Sequence, residues 1–152
     1  MITPNVESIP RPWEQYWFSI TCGPRLLNAG QIAIDARAEG FTVSHLVNPQ
    51  TPADRSAIGF SEDGTTLYMT TFITSVSLRQ AAEVLREIGA YQAMNLDGCA
   101  SVALASRGNI LYPAGRNLTN VIAVYDSGSP APGELQEAWQ QFQQGELYPE
   151  LP

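Results

Sequence analysis

The chain has 152 residues, of which 44% are apolar and 15% charged, which suits one globular domain with a sizeable buried core. Its net charge of −7 argues against a nucleic-acid backbone partner, which wants a basic face, and against an anionic membrane surface. No apolar run approaches the ~20 residues of a membrane span, and residues 1–20 lack the basic start and apolar stretch of a signal peptide.

Met1–Glu14 carries Pro4, Pro10 and Pro12 and reads as an extended arm. Gln15–Cys22 is expected to be a strand ending at Gly23-Pro24. Leu26–Ile34 is expected to form a hairpin turning at Asn28-Ala29-Gly30. Phe41–Pro52 reads as a loop with a short strand at Phe41–Val47. Arg55–Phe60 and Thr65–Phe72 alternate apolar and polar residues around Glu62-Asp63-Gly64, a hairpin signal with glycine in the left-handed position.

Ser77–Ile88 predicts a helix. Ser77 and Gln80 match a capping box, in which each side chain satisfies an amide that the helix start leaves open. Leu78, Ala81, Ala82, Leu85 and Ile88 fall on one face, and Gly89 stops the helix. Tyr91–Leu96 then enters a sheet. Ser101–Ala105 and Asn109–Tyr112 pair around Ser106-Arg107-Gly108, and Asn120–Tyr125 is expected to close as an apolar strand. Ser127–Gly133 is a linker. Beyond it Leu135, Ala138, Trp139 and Phe142 form an apolar stripe on a helix, expected to dock on the same domain, with a protein-partner surface as the alternative. Hairpins outnumber helices, so the fold class is α+β: a twisted, largely antiparallel sheet with one packed helix and a C-terminal helix. The domain reading is an arm at 1–14, a domain at 15–126, and a linker with an amphipathic helix at 127–152.

The segment richest in chemistry is Asn95-Leu96-Asp97-Gly98-Cys99-Ala100-Ser101. A strand delivers a carboxylate into a turn of small residues, where a ligand can approach the backbone closely. A turn capped by Asp97 is the structural alternative. With one histidine and two cysteines, a His/Cys zinc site of ordinary spacing is not expected, and Cys22 and Cys99 read as separate free thiols. His45 reads as a surface or partly buried polar residue.

Other blocks accompany this segment: Cys22-Gly23-Pro24-Arg25-Leu26-Leu27, Arg55-Ser56-Ala57-Ile58-Gly59, Ser77-Leu78-Arg79-Gln80-Ala81-Ala82 and Arg116-Asn117-Leu118-Thr119-Asn120. In this order and at these spacings they resemble the phosphodiester glycosidase family, the enzymes that uncover mannose 6-phosphate and their bacterial relatives. The resemblance runs from about Phe18 to Tyr125. The departures are specific. The family's Asn-Gly-Gly-Phe block does not appear, Cys99 and Ala100 stand where the family has glycines, Gln80 replaces a glutamate, and Ile73-Thr74-Ser75 replaces an Asp-Gly turn. The chain therefore reads as the C-terminal portion of the fold or a trimmed descendant. Family members are often exported; the sequence itself assigns no compartment.

The resemblance implies cleavage between a sugar anomeric carbon and a phosphodiester oxygen. The leaving group is already a phosphate ester and needs little protonation. The site must bind phosphate, stabilise an oxocarbenium-like centre and position a water. Asp97 is the candidate catalytic carboxylate. Arg55 and Arg116 are candidates for phosphate, since a guanidinium matches its oxygens in a bidentate way, with a salt bridge to Asp54, Asp97 or Asp126 as the alternative for each. Asn95, Gly98, Ser101 and Asn120 complete the candidate substrate-binding set. Arg55, Asp97, Ser101 and Arg116 are expected to converge on one pocket. No metal, no cofactor and no nucleic-acid or membrane partner is expected; the ligand is a small sugar phosphodiester or sugar phosphate. A second carboxylate is not identifiable, so hydrolysis by this chain alone is expected to be weak or absent, with phosphate binding surviving better. The alternative function is a non-catalytic derivative that binds a sugar phosphate or nucleotide-like ligand, or a subunit of a larger assembly.

Overall fold

A computed structural model describes residues 20–145, which fall into two units, one ending at Leu118 and one beginning at Thr119. In the first, β1 (Arg25–Asn28) and β2 (Gln31–Ile32) form the expected hairpin. Its two-residue turn, Ala29-Gly30, has both φ angles positive (50° and 72°), the backbone whose twist matches that of the flanking strands. A short helix α1 (Ser44–Val47) follows. β3 (Ser56–Phe60) and β4 (Leu67–Thr71) pair in unbroken register from Ser56↔Thr71 to Phe60↔Leu67. The Asp63 carboxylate ties their turn, accepting from the Ser61 hydroxyl and from the amide and hydroxyl of Thr65.

Helix α2 (Leu78–Glu87) starts on the expected capping box: Ser77 Oγ accepts from the Gln80 amide at 3.1 Å, and Gln80 Oε1 accepts from the Ser77 amide at 2.9 Å. Gly89 ends it with φ 101°, a conformation that a Cβ disfavours. β5 (Gln92–Asn95) returns to the centre of the sheet, whose order is β2-β1-β5-β3-β4 with every pairing antiparallel. A separate ribbon, β6 (Leu104–Ser106) and β7 (Asn109–Tyr112), turns at Arg107-Gly108, again with both φ positive.

The core joins α2 to the sheet through Leu26, Leu27, Ala57, Leu78, Ala81, Ala82, Leu85, Ala90 and Ala93. A bulge on β1 opposite β5 lets consecutive residues Leu26 and Leu27 both enter that core. Burying each leucine of this cluster contributes about 1.5–3 kcal/mol. This is the α+β architecture read from the sequence.

Three sequence expectations need correction. Phe41–Val47 contains no strand; Val43 and Ser44 carbonyls instead accept from the amides of Leu46, Val47 and Asn48, so backbone groups are satisfied locally as α1. Of Gln15–Cys22, only Ile20–Cys22 lie within the described residues, and they form no strand; the ladder starts at Arg25, after Gly23 at φ 148°. Residues 15–19 and the arm at Met1–Glu14 lie outside the described residues. Asn120–Tyr125 is not a strand either: it finds no ladder partner among the described residues, and Val121 and Val124 are exposed.

In the second unit the Asp126 carboxylate accepts from the amides of Gly128 and Ser129, forming a tight turn. Helix α3 (Gly133–Gln143) follows. Trp139 and Phe142 stack with ring centroids 5.5 Å apart, as neighbours three residues apart on a helix do. Ala138 is its buried residue.

Candidate active site

The turn after β5 is built on the head of β3. Pairing of Ala57 with Asn95 leaves Leu96 and Asp97 beside Ser56. The Leu96 amide donates to the Ser56 carbonyl at 2.8 Å, and the Cys99 amide donates to the Asp54 carbonyl at 3.0 Å. Gly98 makes this approach feasible: a Cβ there would stand 2.8 Å from the Asp54 carbonyl oxygen. Cys99–Ser101 then forms a single 3-10 turn, entered with Cys99 at φ 53°.

Three of the predicted residues meet on this turn. Arg116 Nη2 lies 3.1 Å from Asp97 Oδ2, and Arg116 Nε donates to Ser101 Oγ at 2.8 Å. With the Ser101 hydroxyl beside the Asp97 carboxylate and Arg116 bonded to both, the three side chains form a ring. Asp97 Oδ1 accepts from the Gly98 amide at 2.9 Å. The Ser101 hydroxyl first, then the Gly98 amide and Arg116, outweigh partial burial and hold the Asp97 carboxyl below the usual carboxylate range. The ion pair is open to solvent, with the Arg116 and Asp97 side chains 48% and 68% exposed.

Arg55 is placed differently. It is 2% exposed, and its guanidinium faces backbone: Nε donates to the Val76 carbonyl at 2.8 Å, and Nη2 to the carbonyls of His45 and Thr51 at 3.0 and 3.1 Å. Burial lowers its pKa. It ties α1, the loop after it and the approach to α2 onto β3. Neither of the roles weighed for it in the sequence, a phosphate ligand or a salt bridge to an aspartate, describes these contacts.

Asn95 is also buried. Its Nδ2 donates to the carbonyls of Gly23 (3.0 Å) and Leu96 (2.7 Å), while Oδ1 is buried with no hydrogen-bond partner among the described residues. Asn120 lies in the second unit, exposed, and is not among the residues that the first unit brings together.

Three neighbours of Asp97 stand outside the candidate site set. Ser56 Oγ donates to the Asp97 carbonyl at 3.0 Å. The Cys22 thiol lies near Asp97, and burial raises its pKa. Asp54 offers the carbonyl already described, and its Oδ1 accepts from the Ser75 hydroxyl at 2.6 Å. The signal for Ser56 was available: once residue 57 pairs with 95, residue 56 must lie beside the turn. Both cysteines are free thiols. Among the described residues, no group of three or more His, Cys, Asp or Glu side chains could hold a metal ion, and no helix is long and apolar enough to cross a membrane.

An antiparallel α+β domain whose β5 turn carries this carboxylate–hydroxyl–guanidinium ring is the setting in which the comparisons with known proteins fall. The model of the phosphodiester glycosidase family matches residues 3–125, and the chain belongs to that family. Among solved structures, a hypothetical protein from Synechocystis shares 32% identity with a TM-score of 0.52, covering 61% of this chain and 18% of that one. The zebrafish N-acetylglucosamine-1-phosphodiester alpha-N-acetylglucosaminidase catalytic domain, auto-inhibited by its pro-peptide, shares 22% identity with a TM-score of 0.47, covering 60% of this chain and 33% of that one. The chain thus spans a third or less of the length of either structure. No curated protein matches it.

Proposed function

We propose that the Asp97–Ser101–Arg116 ring is the anion-binding and charge-stabilising end of a site for a sugar 1-phosphodiester, whose glycosidic bond is hydrolysed there. The observation that carries this reading is the ring itself, within the family-matched region. A carboxyl held below its usual range carries no proton at neutral pH. It is therefore a poor general acid, but it is suited to stabilising positive charge at an anomeric carbon or to orienting the attacking water. A phosphate-ester leaving group asks for cationic binding more than for protonation, and Arg116 with Ser101 offers planar donors and a hydroxyl for it. Substrate phosphate would compete with Asp97 for Arg116, so binding would release the carboxylate toward the sugar.

A second reading, non-catalytic binding of a sugar phosphate, has one observation in its favour. Arg55, the other arginine of the candidate set, donates to backbone carbonyls, which leaves Arg116 as the cation of the ring. Release of free sugar from an N-acetylglucosamine 1-phosphodiester by the purified chain, with Asp97→Asn as control, separates the two. Turnover that disappears in Asp97→Asn supports hydrolysis. Absent turnover, with a sugar 1-phosphate still raising Tm in wild type and not in Arg116→Met, supports binding alone. Neither turnover nor a Tm response would end both.

A further inference from the structure

We infer that Ser56 is a positioning residue for the Asp97 carboxylate, acting through the peptide unit between Asp97 and Gly98. The inference rests on Asp97 being the carboxylate of the proposed site. The Ser56 hydroxyl donates to the Asp97 carbonyl oxygen at 3.0 Å. That carbonyl and the Gly98 amide belong to one peptide plane, which twists only at considerable energetic cost. Holding the oxygen on one side therefore aims the N–H on the other. That N–H is the one that donates to Asp97 Oδ1 at 2.9 Å. Oδ2 is meanwhile fixed by Arg116. One oxygen of the carboxylate thus takes its orientation from β3 and the other from the loop after β7.

Ser56 is suited to this by its own placement. It is buried at the head of β3, paired with Thr71, and its carbonyl takes the Leu96 amide at 2.8 Å. The residue is thus anchored by sheet bonds on both sides, and its side chain reaches across to the turn. The other backbone bond from this segment, Cys99 amide to Asp54 carbonyl, fixes the far end of the turn but not the 97–98 peptide. The charged and titratable groups around Asp97 are Arg116, the Cys22 thiol, Asp54 ahead of β3 and Cys99 on the turn; none of them hydrogen-bonds the Asp97 carbonyl in place of Ser56.

The test follows the titration of the Asp97 carboxyl carbon by NMR in the folded full chain, for wild type, Ser56→Ala and Ser56→Thr. The expected result is an upward move toward an ordinary aspartate in Ser56→Ala and a return to the wild-type curve in Ser56→Thr, which keeps the hydroxyl. A loss of stability alone would not shift the titration of the molecules that remain folded. An Asp97 curve in Ser56→Ala identical to wild type would overturn the inference, as would a Ser56→Thr curve that moves with Ser56→Ala. If Ser56→Ala does not fold, Ser56→Cys, nearly isosteric and a weaker donor, must give an intermediate curve; an unshifted one overturns the proposal. Sugar release is measured in parallel. Absence of turnover in every variant, with the titration shift present, would count against the hydrolase reading and leave the role of Ser56 standing.

Discussion

Arg116 reaches the carboxylate of Asp97 at 3.1 Å across 19 residues of chain, and the same guanidinium holds Ser101. Because the pair is solvent-exposed, it adds only about 0–1 kcal/mol to stability. Its replacement is therefore expected to cost binding far more than folding. Arg116→Met should leave Tm within a few degrees of wild type and abolish the Tm increase produced by a sugar 1-phosphate. A large Tm loss with ligand response intact would reverse that assignment.

Two carboxyls are shifted in opposite directions and should leave opposite marks on the pH dependence of stability. Asp97 is depressed in the fold relative to its unfolded value of about 3.9. Its contribution is present above that value and is lost as pH falls through the folded pKa. Asp97→Asn should therefore flatten the acid limb of a Tm–pH profile. Glu39 is raised, by burial above all, while both its oxygens accept from the Arg25 amide. Its contribution is present at low pH and falls as pH rises through the folded pKa, so Glu39→Gln should gain stability at pH 7 relative to pH 4. Parallel acid limbs in wild type and Asp97→Asn would refute the first expectation.

Gly98→Ala is expected to be harmful although the backbone there is extended (φ −117°). The obstacle is the Asp54 carbonyl oxygen 2.8 Å from the new Cβ. The turn must move off β3, with a cost of about 1–3 kcal/mol of the kind seen on overpacking. Chemical denaturation measures it, and sugar release or ligand response should fall with it.

Cys99 and Ala100 both stand where the resembled family has glycine, yet only Cys99 has a positive φ. A left-handed non-glycine residue costs roughly 1–2 kcal/mol, offset in part by the greater unfolded freedom of glycine. Cys99→Gly should thus be neutral or stabilising. Ala100→Gly should destabilise by about 0.5–1 kcal/mol, since only the entropic loss applies. Equal effects of the two changes in urea denaturation would count against this account.

Arg55→Lys tests the carbonyl hub. A single ammonium cannot reproduce the fork that serves Val76, His45 and Thr51. Each buried acceptor left bare costs about 1–3 kcal/mol, so the variant should be strongly destabilised. Near-wild-type stability with loss of phosphate binding would return Arg55 to the ligand side.

The hairpins and α2 were legible because each is specified locally: positive-φ turns at Ala29-Gly30 and Arg107-Gly108, and a capping box at Ser77 and Gln80. Asp97, Ser101 and Arg116 were legible as a group only through the family-like blocks around them, since nothing local links residue 116 to residue 97. Arg55 was misplaced for a physical reason. An arginine in a motif looks the same in sequence whether its guanidinium faces a ligand or three carbonyls, and the choice depends on α1, whose helical turn the apolar pattern of Phe41–Val47 hid. The apolar run of Asn120–Tyr125 suggested a strand, but a strand also needs a neighbour, and that is not encoded in the segment itself.

The central place of β5 has a consequence for how the site comes into being. The β1–β2 and β3–β4 hairpins close over short stretches of chain, whereas β5 joins strands far from it in sequence, pairing Leu27 with Ala93 and Ala57 with Asn95. Such long closures cost more entropy and come later than hairpins. A chain emerging from the ribosome can therefore assemble both hairpins before β5 emerges, and at that stage it has neither a continuous sheet nor a seat for Asp97. The ligand-binding ring is thus a late product of folding, and its ability to bind a ligand would report that the whole sheet has been stitched together.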